Sequence, residues 1–120
     1  MLRINIMRSF INRLRDAGWK NINVRRHTSL DNQVLKRGEK AIVCIEQIQL
    51  DGSLDLSPQI EGLFKHFIEL IRRSGSHDIF LPGGGEIPIP SFFEKYCRDN
   101  GIKIHIISRE NIDEYNRIKL

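Results

Sequence analysis

The chain has 120 residues, 40% of them apolar and 28% charged, with a net charge of +4. These values fit one globular domain with one core and exclude a disordered chain. No apolar run reaches the length of a membrane-spanning helix, and two distant cysteines, Cys44 and Cys97, exclude a disulfide framework or a zinc-ligand spacing. Both cysteines are expected in the core as small apolar residues.

The charge is unevenly spread. Residues 1–40 carry ten basic side chains against three acids, whereas the rest carry nine against twelve. Such a split points the first third of the chain at something anionic.

In chain order, Ile4, Met7, Phe10, Ile11 and Leu14 recur at helical spacing, with Arg3, Arg8, Arg13 and Arg15 around them and Gly18 as a stop. This pattern predicts a basic amphipathic helix over residues 1–18, acting as an arm or a targeting segment, ahead of one α/β domain over 19–120. Its composition matches a mitochondrial targeting segment, and equally a helix that lies on RNA or on a membrane surface. Residues 20–27 alternate as in a short edge strand or extended arm, and contribute Lys20, Arg25 and Arg26 to the basic set. The polar stretch that follows, through Asn32 and Gly38, reads as a loop.

Ala41 to Ile45, continuing to Leu50, is rich in β-branched residues and predicts a strand, ended by Asp51-Gly52. Ser57-Pro58 predicts a helix start, with Ser57 as N-cap. The stripe Ile60, Leu63, Phe64, Phe67, Ile68 and Ile71 follows, and Gly75 closes the helix. Asp78 to Leu81 predicts a strand that runs into Pro82-Gly83-Gly84-Gly85. Ser91 and Glu94 have capping-box spacing, predicting a helix with Phe92, Phe93, Tyr96 and Cys97 inward. Asn100-Gly101 ends it. Ile102 to Ile107 predicts the last strand, and residues 109–118 a final helix with Ile112, Tyr115 and Ile118 inward. The alternation after Ala41 implies a βαβαβ core of two or three layers with a mostly parallel sheet.

Two candidate sites follow. Gly83, Gly84 and Gly85 form the one glycine-rich loop after a strand, with Glu86 beside it; backbone N–H groups there can hold a small anion or nucleotide, or a partner. The spacing is neither a P-loop nor GxGxxG. Arg3, Arg8, Arg13, Arg15, Lys20, Arg25 and Arg26 form the second candidate, a surface for an anionic partner. His27, His66, His77 and His105 share no metal-ligand spacing, so no metal and no cofactor is expected. A metal-dependent nuclease core needs acids and a lysine on adjacent strands, as in D…ExK; here Glu46 is followed by Gln47 and Ile48, and the lysine is missing. No GxSxG is present, and nothing else marks a catalytic residue.

From Lys40 onward, Asp78 to Gly85, Gly101 to Ile107 and Tyr115-Asn116 together resemble a small α/β family that includes a mitochondrial respiratory complex I assembly factor and its bacterial and archaeal relatives. The chain departs from that family in lacking a tryptophan after its first hairpin. The element order, with Gly52 to Asp55 before the long helix, is also similar to the anti-anti-sigma (STAS) domain. The first resemblance implies a scaffold or assembly role without a known reaction. The expectation is therefore a non-catalytic accessory subunit that docks on a larger protein or ribonucleoprotein assembly through its basic N-terminal region. A mitochondrial matrix location is expected, with the cytoplasm as the alternative. The other expected roles are an RNA-binding, ribosome-associated protein and a small-anion or nucleotide-binding domain.

Overall fold

A computed structural model describes residues 6–22, 32–46, 48, 56–83 and 88–115. In order they form α1 (Ile6–Asp16), β1 (Lys20–Asn21), β2 (Asn32–Arg37), β3 (Lys40–Ile45), α2 (Ser57–Ser74), β4 (Asp78–Pro82), α3 (Ser91–Asp99), β5 (Lys103–Ile107) and α4 (Ile112–Tyr115). The strands make one five-stranded sheet in the order β1-β2-β3-β4-β5.

The sheet is mixed, which corrects the expectation of a mostly parallel one: β1–β2 and β2–β3 are antiparallel, β3–β4 and β4–β5 parallel. The difference comes from residues 32–37, read from sequence as a loop. Their segment holds only two apolar residues, Val34 and Leu35, which point to opposite faces of the sheet. Each is buried in a different core, and together they bring the strand into full register with β3 from Asn32↔Ile45 to Arg37↔Lys40. Gly38, at φ +62°, supplies the positive φ that the first position of a two-residue hairpin loop favours.

The two faces of the sheet carry separate cores. One face packs Val34, Val43, Ile45, Ile79 and Leu81 against α2 and α3. Here the rings of Phe64, Phe67 and Phe93 meet edge to face, with centroids 4.9–6.5 Å apart. Each ring withdrawn from water contributes about 1.5–3 kcal/mol, and each edge-to-face pair about 0.5–1.5 kcal/mol more. The other face packs Leu35, Ile42, Cys44, Phe80 and Ile107 against Met7, Phe10, Ile11 and Leu14 of α1 and Ile112 of α4. The helices therefore cover both sides of the sheet, and the apolar face of α1 is part of the core.

Helix ends correct three local expectations. Leu56, not Ser57, holds the N-cap position of α2, without a side-chain cap bond, and Pro58 stands in the first turn. Pro90 precedes α3 in extended backbone and provides no side-chain cap, so Ser91 and Glu94 are not a capping box. Ser91 begins the helix instead, and Phe92, expected inward, is 36% exposed. Gly75, in left-handed conformation, ends α2 with its N–H on the Ile71 carbonyl. The last helix spans only Ile112–Tyr115 of the expected 109–118, and Ile118 lies outside the described residues.

Both edges of the sheet carry distinctive chemistry. Lys103 N–H and Ile107 C=O bond toward β4, so Ile104 and Ile106 turn their backbone groups to the open edge. Asn111 spans that edge: its amide donates to the Ile106 carbonyl while its oxygen accepts from the Ser108 N–H. The opposite edge is β1, only two residues long.

Candidate functional site

Gly83, the described residue of the glycine loop, is held in close approach to β5. The Gly83 N–H donates to the Ile107 carbonyl at 2.7 Å, extending the β4–β5 ladder by one bond. A Cβ at Gly83 would stand 2.9 Å from that carbonyl oxygen and 3.1 Å from both Ile106 Cγ2 and Ser108 Cβ. Glycine is thus required at this position by contact with the end of β5. Gly84, Gly85 and Glu86 lie outside the described residues. The strand order runs β3-β4-β5 without reversal, and the two crossover helices share one face. A crevice between diverging crossovers forms where strand order reverses, and this parallel half has no such point.

The basic residues sort by where the fold holds them. Arg3, Arg25 and Arg26 lie outside the described residues. Arg13 turns toward α4 and pairs with Asp113 at 3.2 Å, both exposed. Arg8 reaches over the sheet to Glu46, just past β3, with Nε 3.3 Å from Oε1. That carboxylate is nearly sealed, at 4% side-chain exposure, while the arginine stays 64% exposed. Glu46, the acid of the incomplete nuclease pattern, therefore faces a guanidinium. Among the described residues no cluster of three metal-ligating side chains forms.

About two turns further along α1, Arg15 bonds the sheet edge. Its Nε donates to Asn21 Oδ1 and its Nη2 to Gln33 Oε1, each at 2.8 Å, and Asn21 closes the triangle by donating to Gln33 at 2.6 Å. Asn21 stands opposite Leu35 in the ladder, so this network lies on the α1 side of β1 and β2. Arg37 shares that side: its guanidinium lies 4.9 Å over the ring of buried Trp19 and donates to the Ala17 carbonyl at 3.3 Å. Lys40 is opposite Arg37 across the hairpin.

Lys20 and Lys36 are directly opposite each other on the other face of the same edge. Both are exposed, and among the described residues neither has a carboxylate within ion-pair distance. Like charges directly opposite in a ladder cost stability, by about 0.2–1 kcal/mol. The ladder carries two such pairs, Lys20/Lys36 and Arg37/Lys40. The result is a basic ridge along the β1 edge, with Lys20 and Lys36 on one face and Arg15, Arg37 and Lys40 on the other, Arg15 being anchored by neutral acceptors. Lys20 and Arg15 were foreseen in it; Lys36, Arg37 and Lys40 were missed as site residues because they fell in the segment read as a loop and its end.

A second constellation lies on the α1 face. The His105 Nε2 lies 2.7 Å from Asp78 Oδ1, and the imidazole stacks on Phe80 at 4.4 Å between centroids, with Tyr115 edge-on at 5.6 Å. The hydrogen bond from His105 leads in holding the Asp78 carboxyl below its usual range, helped by the charges of His105, Lys103 and Lys40 and opposed by partial burial. An acid that orients an imidazole is two-thirds of a nucleophile-activating triad. Among the described residues no serine, threonine or cysteine hydrogen-bonds this histidine; the pair ties β4 to β5, and the imidazole packs on Tyr115 of α4. Burial pushes the Cys97 thiol up to about 11 and raises Cys44 further, the latter aided by the Glu46 charge, which keeps both as unreactive thiols.

No protein-family profile matches this chain, and neither curated proteins nor solved structures give a significant match. Neither resemblance carried by the sequence gains a relative from these comparisons. No described helix is long and apolar enough to cross a membrane.

Proposed function

We propose that this chain is a non-catalytic accessory protein that docks on an anionic partner within a larger assembly, through the basic ridge at its β1 edge. The observation that carries the reading is the opposed pair Lys20 and Lys36, both exposed and with no described carboxylate within ion-pair distance. A fold that seeks only stability would place opposite charges there, because an opposed acid–base pair stabilises the ladder and an opposed pair of lysines costs it. The anchoring of Arg15 by Asn21 and Gln33 supports the same reading. Neutral acceptors fix the guanidinium without cancelling its charge, which lowers the ordering cost on binding.

The packing of α1 shapes how that docking works. Met7, Phe10, Ile11 and Leu14 are spent on the core, so the helix offers its polar side, with Arg15 at the sheet edge, to a partner. Docking then occurs through a rigid surface of the domain and not through insertion of an apolar arm.

The test is affinity capture with the tagged chain beside a Lys20→Ala, Lys36→Ala variant, at rising salt. Recovery of one defined assembly by the native chain, lost in the variant and at high salt, is the expected result. Equal recovery by both proteins would remove the ridge from the function.

A further inference from the structure

We infer that the ridge is shaped for the phosphate backbone of a nucleic-acid duplex, held without reading its bases; this rests on the docking role proposed above and names its partner. The first support is what the ridge lacks. The exposed large apolar residues of the described structure, Leu56, Phe92 and Ile106, lie before α2, in the first turn of α3 and near the end of β5. These places all belong to the carboxyl end of the parallel strands, away from β1. Protein–protein interfaces have apolar centres from which charged residues are depleted. Nucleic-acid interfaces are more polar and far more positive, and that is the character of the β1 edge.

The second support is spacing. Arg15 is anchored at Gln33 and Arg37 stands four residues further along β2, so roughly 13 Å of strand separates the two positions. Lys20 and Lys36 add a close pair on the far face, with Cβ atoms about 5 Å apart. Cations distributed in this way along an edge match a line of phosphates better than one compact anion.

The third support is the absence of a stacking platform. Trp19, the one aromatic ring at the ridge among the described residues, is 2% exposed and roofed by Arg37. Proteins that hold single strands do so by stacking bases on open aromatic rings. A ridge without such a ring recognises charge density, which is greatest on a duplex.

The experiment is fluorescence anisotropy with labelled duplexes of about 20 base pairs, RNA and DNA in separate arms, beside the corresponding single strand and polyglutamate. The native chain is expected to bind either duplex irrespective of sequence. With about three phosphates neutralised, raising salt from 50 to 200 mM should weaken binding roughly 40- to 60-fold. Lys36→Glu is the informative variant: it turns the like-charged pair with Lys20 into an opposed one, so the melting temperature holds or rises while duplex binding falls at least about tenfold. Lys95→Glu, an equal charge change on an exposed position of α3, should move binding by less than about twofold. Equal losses in the two variants would show that net charge binds and the ridge does not. A single strand bound more tightly than the duplex would overturn the assignment. Polyglutamate bound while both duplexes are ignored would leave the docking role standing and reject nucleic acid as its partner. Failure to bind any of these polyanions would reject both.

Discussion

Replacing Phe10 by alanine tests whether α1 is a structural layer of the domain or an arm laid beside it. The ring is 1% exposed and lies 4.9 Å from Phe80 and 5.9 Å from Tyr115. Removing a ring so enclosed costs the transfer of its apolar surface together with the cavity that remains, about 3–5 kcal/mol in all. A domain of 120 residues has a total stability of about 6–18 kcal/mol, so the variant should fold while losing a large fraction of its margin. With a urea slope of about 1.5 kcal/mol/M, the midpoint should fall by roughly 2–3 M at an unchanged slope. Equilibrium urea unfolding followed by far-ultraviolet circular dichroism reads both quantities. A midpoint shift below about 0.5 M would mean that Phe10 is not holding the sheet, and the account of α1 as a core layer would fail. The expected result has a practical corollary: deleting residues 1–18 uncovers Leu35, Ile42, Phe80 and Ile107. Point variants on the ridge therefore probe docking where that truncation would probe folding.

Gly83→Ala should lose about 1–3 kcal/mol by pressing a methyl group on the end of β5; a melting temperature within a degree of the native value would contradict the close approach. Gly62→Ala, inside α2 with nothing within 4 Å of the added Cβ, should gain about 0.5–1 kcal/mol in the same scan. Because the folded state lowers the Asp78 pKa, the associated stability is present above the unfolded carboxylate value near about 4 and is lost as pH falls through the folded value. Asp78→Asn should accordingly flatten the acid side of the melting-temperature profile, and parallel profiles for the two proteins would refute the pairing. Arg8→Ala strips a nearly sealed Glu46 of the guanidinium beside it and should cost about 1–3 kcal/mol in urea, the arginine's own exposure moderating the loss. Adding Glu46→Gln should return part of that loss.

The legible parts of this fold are those where one face is apolar over several turns or one strand is uniformly β-branched. The stripes of α2, the segment Ala41 to Ile45 and the glycines that end helices all belong to this kind. Residues 32–37 were illegible because Val34 and Leu35 are adjacent, and adjacency in a strand feeds two different cores instead of marking one. Ser91 and Glu94 misled for a different reason: their spacing satisfies the capping pattern, but Pro90 already occupies the cap position in extended backbone. The Asp78–His105 pair spans 27 positions and had no local signature. Its one trace was parity, since His105 shares a strand face with Lys103 and Ile107 while Ile104 and Ile106 occupy the other. The ridge was half visible: the basic excess lies in the third of the chain that holds it, and only the hairpin shows that Lys36, Arg37 and Lys40 share its edge.

Asn111 deserves a last word for what it denies to other molecules. By taking the Ile106 carbonyl for itself, it leaves the outer rim of β5 without an acceptor at the position where an incoming strand would continue the ladder. On the far rim, two-residue β1 with Lys20 repels a like-charged copy of itself. A borrowed amide thus withdraws one acceptor from one margin, and like charge guards the other. Crowded against its own copies, the protein meets an obstacle to edge-to-edge pairing at each of these two points.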